Sequence, residues 1–345
     1  MGILQTITAN PGKPGDAKLQ GLMPQASGSQ PPKEVVFMKE RFGKFKILAI
    51  ALVCATLFIA TSCSSADNGL VTIRDKVPLA GESAAATATE TFNNGGSVNT
   101  ASLESGSVTI NTNLADKGIV GVRADVDGDK KLKVKVSLNG KAVYYDITSG
   151  QMIKVPMQLG NGQYAIELFQ NISGSEYQKL YGNNVDISVS APNDMYLLSN
   201  QIVNFENSKE IPALDTSILQ NKNSDADKLQ AVYDYVIQTI AYDYNKYSQI
   251  DSTYIPNIDQ ILAQKMGICY DYASVTASLL REAGIPTKLV MGYRSDSKDY
   301  HAWNEVLLGG QWITVDTTWD SVLKQNGQQF QMQKDAGLYT TDKVF

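Results

Sequence analysis

The hydrophobic pattern of this chain changes character along its length. From about Ser107 to Ser190 apolar and polar residues alternate with period two, as they do when successive side chains point to opposite faces of a strand. Leu132, Val134 and Val136 alternate with lysines, Asn139-Gly140 follows, and Ala142-Val143-Tyr144-Tyr145 comes next. Asn-Gly between two alternating runs predicts a hairpin, because the favoured tight turn needs positive φ at both central residues. The pattern recurs with Met152 to Leu159, an Asn161-Gly162 turn and Tyr164 to Phe169; Val185, Ile187 and Val189 close the set. Short strands joined by tight turns predict a small all-β, sandwich-like domain over residues 107–195.

After about Asn204 the period lengthens and the fold becomes α+β. Ser224 is placed to cap a helix whose apolar residues are Leu229, Val232, Val236, Ile237 and Ile240. A tyrosine-rich loop, Tyr242 to Tyr254, leads to a second helix from about Ile258 to Gln264. A third begins near Cys269 and ends at Gly284, with Pro286 just beyond as a stop signal. Strands are predicted at Thr287 to Tyr293, Tyr300 to Leu308 and Gln311 to Thr318. Residues 196–345 read as one mixed domain, and 345 residues suffice for two domains.

The N-terminal part has no such periodicity. Residues 1–37 are rich in Gly, Pro, Ser and Gln and read as disordered. Met38 directly precedes a basic stretch with Lys39, Arg41, Lys44 and Lys46, and reads as the true start, with 1–37 an over-extended one. Ile47 to Ala60 are uncharged and mostly apolar, and small residues then lead into Cys63. A basic segment, a short apolar segment and small residues describe a secretory signal over 38–63. The run is too short to predict a membrane span. Ala60-Thr61-Ser62-Cys63 resembles the bacterial lipoprotein signal, which implies lipidation at Cys63; the alternatives are plain cleavage or an uncleaved anchor. Residues 64–106, poor in large apolar side chains, read as a flexible linker, in which Val71 and Ile73 make at most a stray strand.

Composition narrows the chemistry. A net charge of −5 supplies no basic field for a nucleic-acid partner. The three cysteines are Cys54, Cys63 and Cys269, so behind the export signal one unmodified thiol remains. Beside it stands a single histidine, His301. A disulfide framework is excluded, as is a Cys/His zinc site built from these residues alone. Asp125, Asp127 and Asp129 surround Gly128, but the sixth and twelfth positions of a calcium loop would fall on Lys130 and Val136, so a solvated turn is expected. No metal or cofactor is called for.

The remaining polar residues converge on one constellation. Cys269 opens a helix, where unpaired backbone N–H groups favour a thiolate and can serve as oxyanion donors. His301 and Asp316 lie on segments joined by Gly309-Gly310. If those glycines are the centre of a two-residue turn, Leu308 pairs with Gln311, His301 faces Thr318 and Trp303 faces Asp316. Period two then sets His301, Trp303 and Asp316 on one face. His301 and Asp316 become diagonal neighbours, roughly 7–8 Å apart along the backbone and within side-chain reach. A slip of one residue would separate them. An aspartate so placed fixes the imidazole tautomer and stabilises the imidazolium.

Gly267-Ile268-Cys269-Tyr270-Asp271-Tyr272-Ala273, His301-Ala302-Trp303 and Trp312 to Trp319 together resemble the bacterial transglutaminase-like superfamily, as do Lys228 to Tyr244 and Gly284 to Tyr293. The resemblance covers roughly Asp225 to Asp320 and implies a papain-like fold with Cys269 as nucleophile, His301 as base and Asp316 as orienting acid. Trp303, Gln264 and Tyr293 are candidate cleft residues; Gln264, five residues before Cys269, invites comparison with the papain glutamine. Asp271 and Tyr272 read as capping or packing residues; Arg294, like Tyr293, precedes the His301 strand and reads either as a substrate contact or as part of a solvated loop. The sandwich, the catalytic domain and the export signal together look like a group of extracellular proteins of Gram-positive bacteria. The expectation is an exported thiol enzyme, held at the outer membrane face by its lipid or signal segment or else secreted. It would act on amide bonds of protein or peptide substrates, cell-wall peptides among them, through a thioester. The alternatives are a cysteine peptidase and, in another class, a non-catalytic cell-surface binding or scaffold protein.

Overall fold

The computed structural model describes residues 70–72, 97–250 and 253–345. Cys54, Cys63 and the whole signal segment lie outside the described residues. Among the described residues no helix is long and apolar enough to cross a membrane.

The first part is all β, in two antiparallel sheets. Its strands are β1 (Leu70–Thr72), β2 (Val98–Leu103), β3 (Gly106–Asn111), β4 (Ile119–Val126), β5 (Leu132–Leu138), β6 (Lys141–Ile147), β7 (Met152–Pro156), β8 (Gly162–Ser173) and β9 (Glu176–Ile187). One sheet runs β2-β3-β4-β7 and the other β1-β9-β8-β5-β6. The period-two residues of both, among them Val108, Ile110 and Val122 on one and Val134, Val136 and Ile166 on the other, enter one continuous apolar core.

The β5–β6 hairpin forms as the Asn-Gly signal predicts. Leu138 pairs with Lys141, and Asn139 and Gly140 sit at φ 51° and 79°. The second such signal does not make a hairpin. β7 pairs with β4, whereas β8 pairs with β5 and β9, so Asn161-Gly162 carries the chain from one sheet to the other. There the Asn161 amide binds both backbone groups of Val189, donating to its carbonyl (3.0 Å) and accepting from its N–H (2.9 Å). A local turn signal cannot tell a hairpin from an arch between sheets, because both need the same backbone reversal. The linker also ends earlier than its composition implies. β2 falls inside residues 64–106, pairing along its length with β3 as a polar, largely exposed edge strand, and Val71 pairs with Tyr177 in β1. Serine- and threonine-rich edge strands leave little apolar signal, since they have one neighbour and bury little. The Asp125–Asp129 stretch forms the bend between β4 and β5, with Asp125 paired to Arg123.

The second part contains α1 (Ile211–Ile218), α2 (Asp225–Thr239), β10 (Ala241–Tyr242), α3 (Tyr244–Gln249), α4 (Ile258–Gln264), β11 (Met266–Gly267), α5 (Cys269–Glu282), β12 (Thr287–Arg294), β13 (Tyr300–Leu308), β14 (Gln311–Val315), α6 (Thr317–Gln325), β15 (Gln333–Lys334) and β16 (Tyr339–Val344). Ser224 caps α2 through the Asp227 N–H at 3.1 Å. The main sheet is antiparallel in the order β15-β14-β13-β12-β16. α5 is the central helix, buried from Tyr270 to Arg281, and packs on β12 and β13 as well as on α2 and α6. Gly284, at φ 83°, turns the chain out of it.

Two features tie the parts together. The apolar core runs through both, and buried Arg281 on α5 donates to the carbonyls of Leu198 (2.7 Å), Thr287 (2.8 Å) and Phe345 (2.9 Å). Burial without a carboxylate partner lowers this guanidinium to about 9. Three carbonyls collected by one side chain hold the connecting segment and the end of β16 against α5.

Candidate active site

Cys269 is the first residue of α5, preceded by extended Ile268. Its own N–H and that of Tyr270 belong to the first helical turn, where the helix supplies no acceptor. The turn is clamped from below. Asp271, fully buried, accepts from the Ile268 N–H (2.9 Å), the Tyr254 hydroxyl (2.6 Å) and Lys246 Nζ (2.6 Å). Burial pushes its carboxyl above the usual range, and Lys246, Tyr254 and the amide oppose that. The capping role expected of Asp271 is therefore what it performs. Gly267 is required here, since a Cβ would stand 2.5 Å from Asp271 Cβ. Tyr272 is buried in α5 with its hydroxyl on the Ile240 carbonyl.

His301 sits on β13 opposite Gly292 of β12. The β13–β14 register is the one the Gly309-Gly310 turn predicts: Leu308 pairs with Gln311 and Asn304 with Val315, and both glycines have positive φ. The predicted strand Gln311–Thr318 is too long, however. β14 stops at Val315, and Asp316 is the N-cap of α6, accepting from the Trp319 N–H at 2.9 Å. Thr317 and Thr318 continue the strand pattern locally, but the buried carboxylate offers the chain a helix start instead. One Asp316 oxygen caps α6 and the other meets His301 Nε2 at 2.8 Å. Nε2 is thus occupied by Asp316, and Cys269 acts on the same ring, adding to the upward shift of His301. Burial alone pushes the imidazole down, but the charge and hydrogen bond of Asp316, helped by Cys269, outweigh it and raise His301 to about 10. Asp316, although buried, is held below the ordinary carboxylate range by His301, the Trp319 amide and Arg294.

The structure brings Cys269, His301 and Asp316 into one row, drawn from the start of a helix, a strand and a helix cap. Trp303 is buried rather than lining a cleft, with its ring 6.3 Å from that of His301 and 4.9 Å from Tyr339. Gln264 is exposed at the end of α4, which Lys265, in the left-handed region, and β11 separate from α5. Tyr293 is exposed and packs edge-on against Tyr300 at 5.3 Å.

Three neighbours of the triad carried no sequence signal for that role. Tyr242 pairs its backbone with Gly267 in β10–β11, and its ring lies 4.9 Å from Tyr244 and 6.3 Å from Tyr247. Burial first, and then the charge of Cys269, pushes the Tyr242 phenol well above its usual range. Arg294 is buried at the end of β12, not solvated, and Tyr339 opens β16 against it. Only the parallel β10–β11 bridge and the last strand place Tyr242 and Tyr339, and short elements of two to six residues leave little periodicity to read.

Residues 212–317 match the family model described as the transglutaminase-like superfamily. This segment is a transglutaminase-like domain. Over 120 residues the chain is 32% identical to the kyphoscoliosis peptidase of Mus musculus, covering 32% of this chain and 18% of that protein. It is 27% identical over 157 residues to the uncharacterized protein YebA of Bacillus subtilis, covering 38% of this chain and 21% of that one. The chain therefore spans about a fifth of the length of these relatives. A solved structure of a TGase is 19% identical, covers 50% of this chain and 48% of its own, and superposes loosely, with a TM-score of 0.30. The transglutaminase-like domain contains Cys269, His301 and Asp316, whereas Tyr339 lies beyond it.

Proposed function

We propose that this protein is a thiol enzyme of the transglutaminase-like type that acts on amide carbonyls through a thioester. The observation that carries this is the His301–buried Asp316 hydrogen bond at 2.8 Å, with Cys269 at the start of α5 acting on the same imidazole. His301 already holds the proton given up by the thiol, and the sulfur attacks the carbonyl carbon. The N–H groups of Cys269 and Tyr270 face the developing oxyanion. The C–N bond breaks, the departing ammonia or amine takes the proton from His301, and a thioester remains. An amine or water, deprotonated by His301, then attacks that thioester and restores the thiol. Tyr242 and Tyr247 feel the charge of Cys269 and stay neutral; burial, Asp299 and Cys269 together raise Tyr247 to about 12.

Substrate chemistry decides between transfer and hydrolysis. The full chain, incubated with a peptide library with and without a labelled primary amine, is expected to consume amides where Cys269→Ala does not. Incorporated amine identifies transfer, and fragments identify the peptidase variant that the name of the mouse relative favours. A wild-type chain that matches Cys269→Ala in both assays sinks the enzyme reading and leaves a surface scaffold.

The chain is further proposed to act outside the cell, tethered through Cys63. The support is the basic, apolar and small-residue order ending at that cysteine. Labelled palmitate is expected in the wild-type protein expressed in a Gram-positive host and absent from Cys63→Ala. Equal labelling of both would end the tether proposal.

A further inference from the structure

We propose that Tyr339 and Arg294 are positioning residues for the triad: a hydrogen-bond relay from Arg294 through the Tyr339 hydroxyl to Asp316 sets how tightly His301 keeps its proton. This rests on the thiol-enzyme reading above. The relay is continuous. Arg294 Nη1 donates to the Tyr339 oxygen at 2.6 Å, and the Tyr339 hydroxyl donates to Asp316 Oδ2 at 2.9 Å. That oxygen is the one that meets His301 Nε2. A carboxylate oxygen with two donors divides its charge between them, so the tyrosine weakens its pull on the imidazolium. Arg294, by donating to the phenol oxygen, polarises the O–H bond and makes Tyr339 a stronger donor.

The relay is built rather than incidental. Arg294 is fixed by a fork to Asp296, with Nε to Oδ1 at 2.9 Å and Nη2 to Oδ2 at 2.7 Å. Its guanidinium lies 3.9 Å from the Trp319 ring centre, and the Trp319 N–H holds the other Asp316 oxygen. Trp303 packs between the rings of His301 and Tyr339. β16 can bring Tyr339 this close because its pairing with β12 shifts register at Gly292, where any Cβ would stand 2.0 Å from the Thr340 carbonyl oxygen. The titratable and charged groups that face Asp316 and His301 are Cys269 on α5, Tyr233 on α2, Asp320 on α6, Arg294 and Asp296 at the end of β12, and Tyr339 on β16.

The chemical consequence concerns proton return. His301 must release its proton to the leaving amine, and an undivided Asp316 charge opposes that step. Because the chain has one histidine, NMR titration of the full-length protein reports His301 without ambiguity. Tyr339→Phe keeps the ring against Trp303 and removes only the hydroxyl. It is expected to raise the His301 midpoint by about half to one pH unit. The turnover number should fall roughly five- to tenfold at unchanged KM, as for a group that acts on the chemical step. Arg294→Gln should shift the midpoint in the same direction, and should add less in the Tyr339→Phe background than in the wild type. A Tyr339→Phe titration that overlays the wild type overturns the relay, and decides the matter alone if Arg294→Gln does not fold. A shift from Arg294→Gln that is as large in the Tyr339→Phe background as in the wild type also overturns it. Failure of the enzyme reading is seen separately, as a wild-type chain that consumes no amide.

Discussion

His301→Ala is expected to lower amide turnover by about 10⁴-fold, with Cys269 intact and the chain folded. The size follows from a double duty. One imidazole takes the thiol proton and later delivers a proton to the leaving amine, and the sequence contains no second histidine to replace it. Steady-state turnover on the peptides selected above measures this, and a loss below tenfold would remove His301 from the chemistry. The same variant has a stability signature. His301 sits at about 10 in the folded chain against 6.5 for a free imidazole, so its protonated form stabilises the fold. That contribution is complete below about 6.5 and disappears as pH rises through about 10. The melting temperature of the wild type should therefore fall with pH across that window more steeply than that of His301→Ala. Parallel slopes would show that the folded imidazole is not held charged.

Asp316→Asn should cost less, about 10²-fold in turnover, and should move the alkaline edge of the rate profile downward. Asparagine is also a good N-cap, so its one side-chain oxygen can stay on the Trp319 N–H and keep the start of α6, but its NH2 group then faces His301 Nε2 and cannot accept from it. What disappears is the charge, which is the main influence raising the imidazole against the opposing effect of burial. Asp316→Ala should do worse, because it also strips the cap from α6, at about 1 kcal/mol. A kcat/KM profile measured from pH 6 to 11 separates the two. An alkaline edge that Asp316→Asn leaves in place would mean that Asp316 orients the ring without holding its charge.

Much of this protein was legible as local pattern. The β5–β6 hairpin, the Ser224 cap, α4, the start of α5 at Cys269 and the β13–β14 register all follow from periodicity and turn chemistry within about ten residues. The register mattered most, because the two positive-φ glycines fix which side chains share a face, and so bring His301 near Asp316. The residues capable of thiol chemistry were equally plain, since one histidine and one cysteine of the described region exhaust the choice.

Tertiary structure decided the rest. Asn161-Gly162 became an arch because the partners of β7 and β8 lie in different sheets, which no local signal encodes. Asp316 became a helix cap because its burial makes the Trp319 amide a better partner than another strand residue. Arg294 turned inward because the Trp319 ring and the Asp296 carboxylate meet it there. Tyr339 reaches Asp316 from 23 residues away in sequence, through a strand that pairs on the far side of β12. Sequence alone determined which groups could react and which local elements carry them. The fold determined which neighbours set their charge, because hydrogen bonds between distant strands depend on sheet order, and sheet order is a property of the packed core rather than of any short stretch of chain.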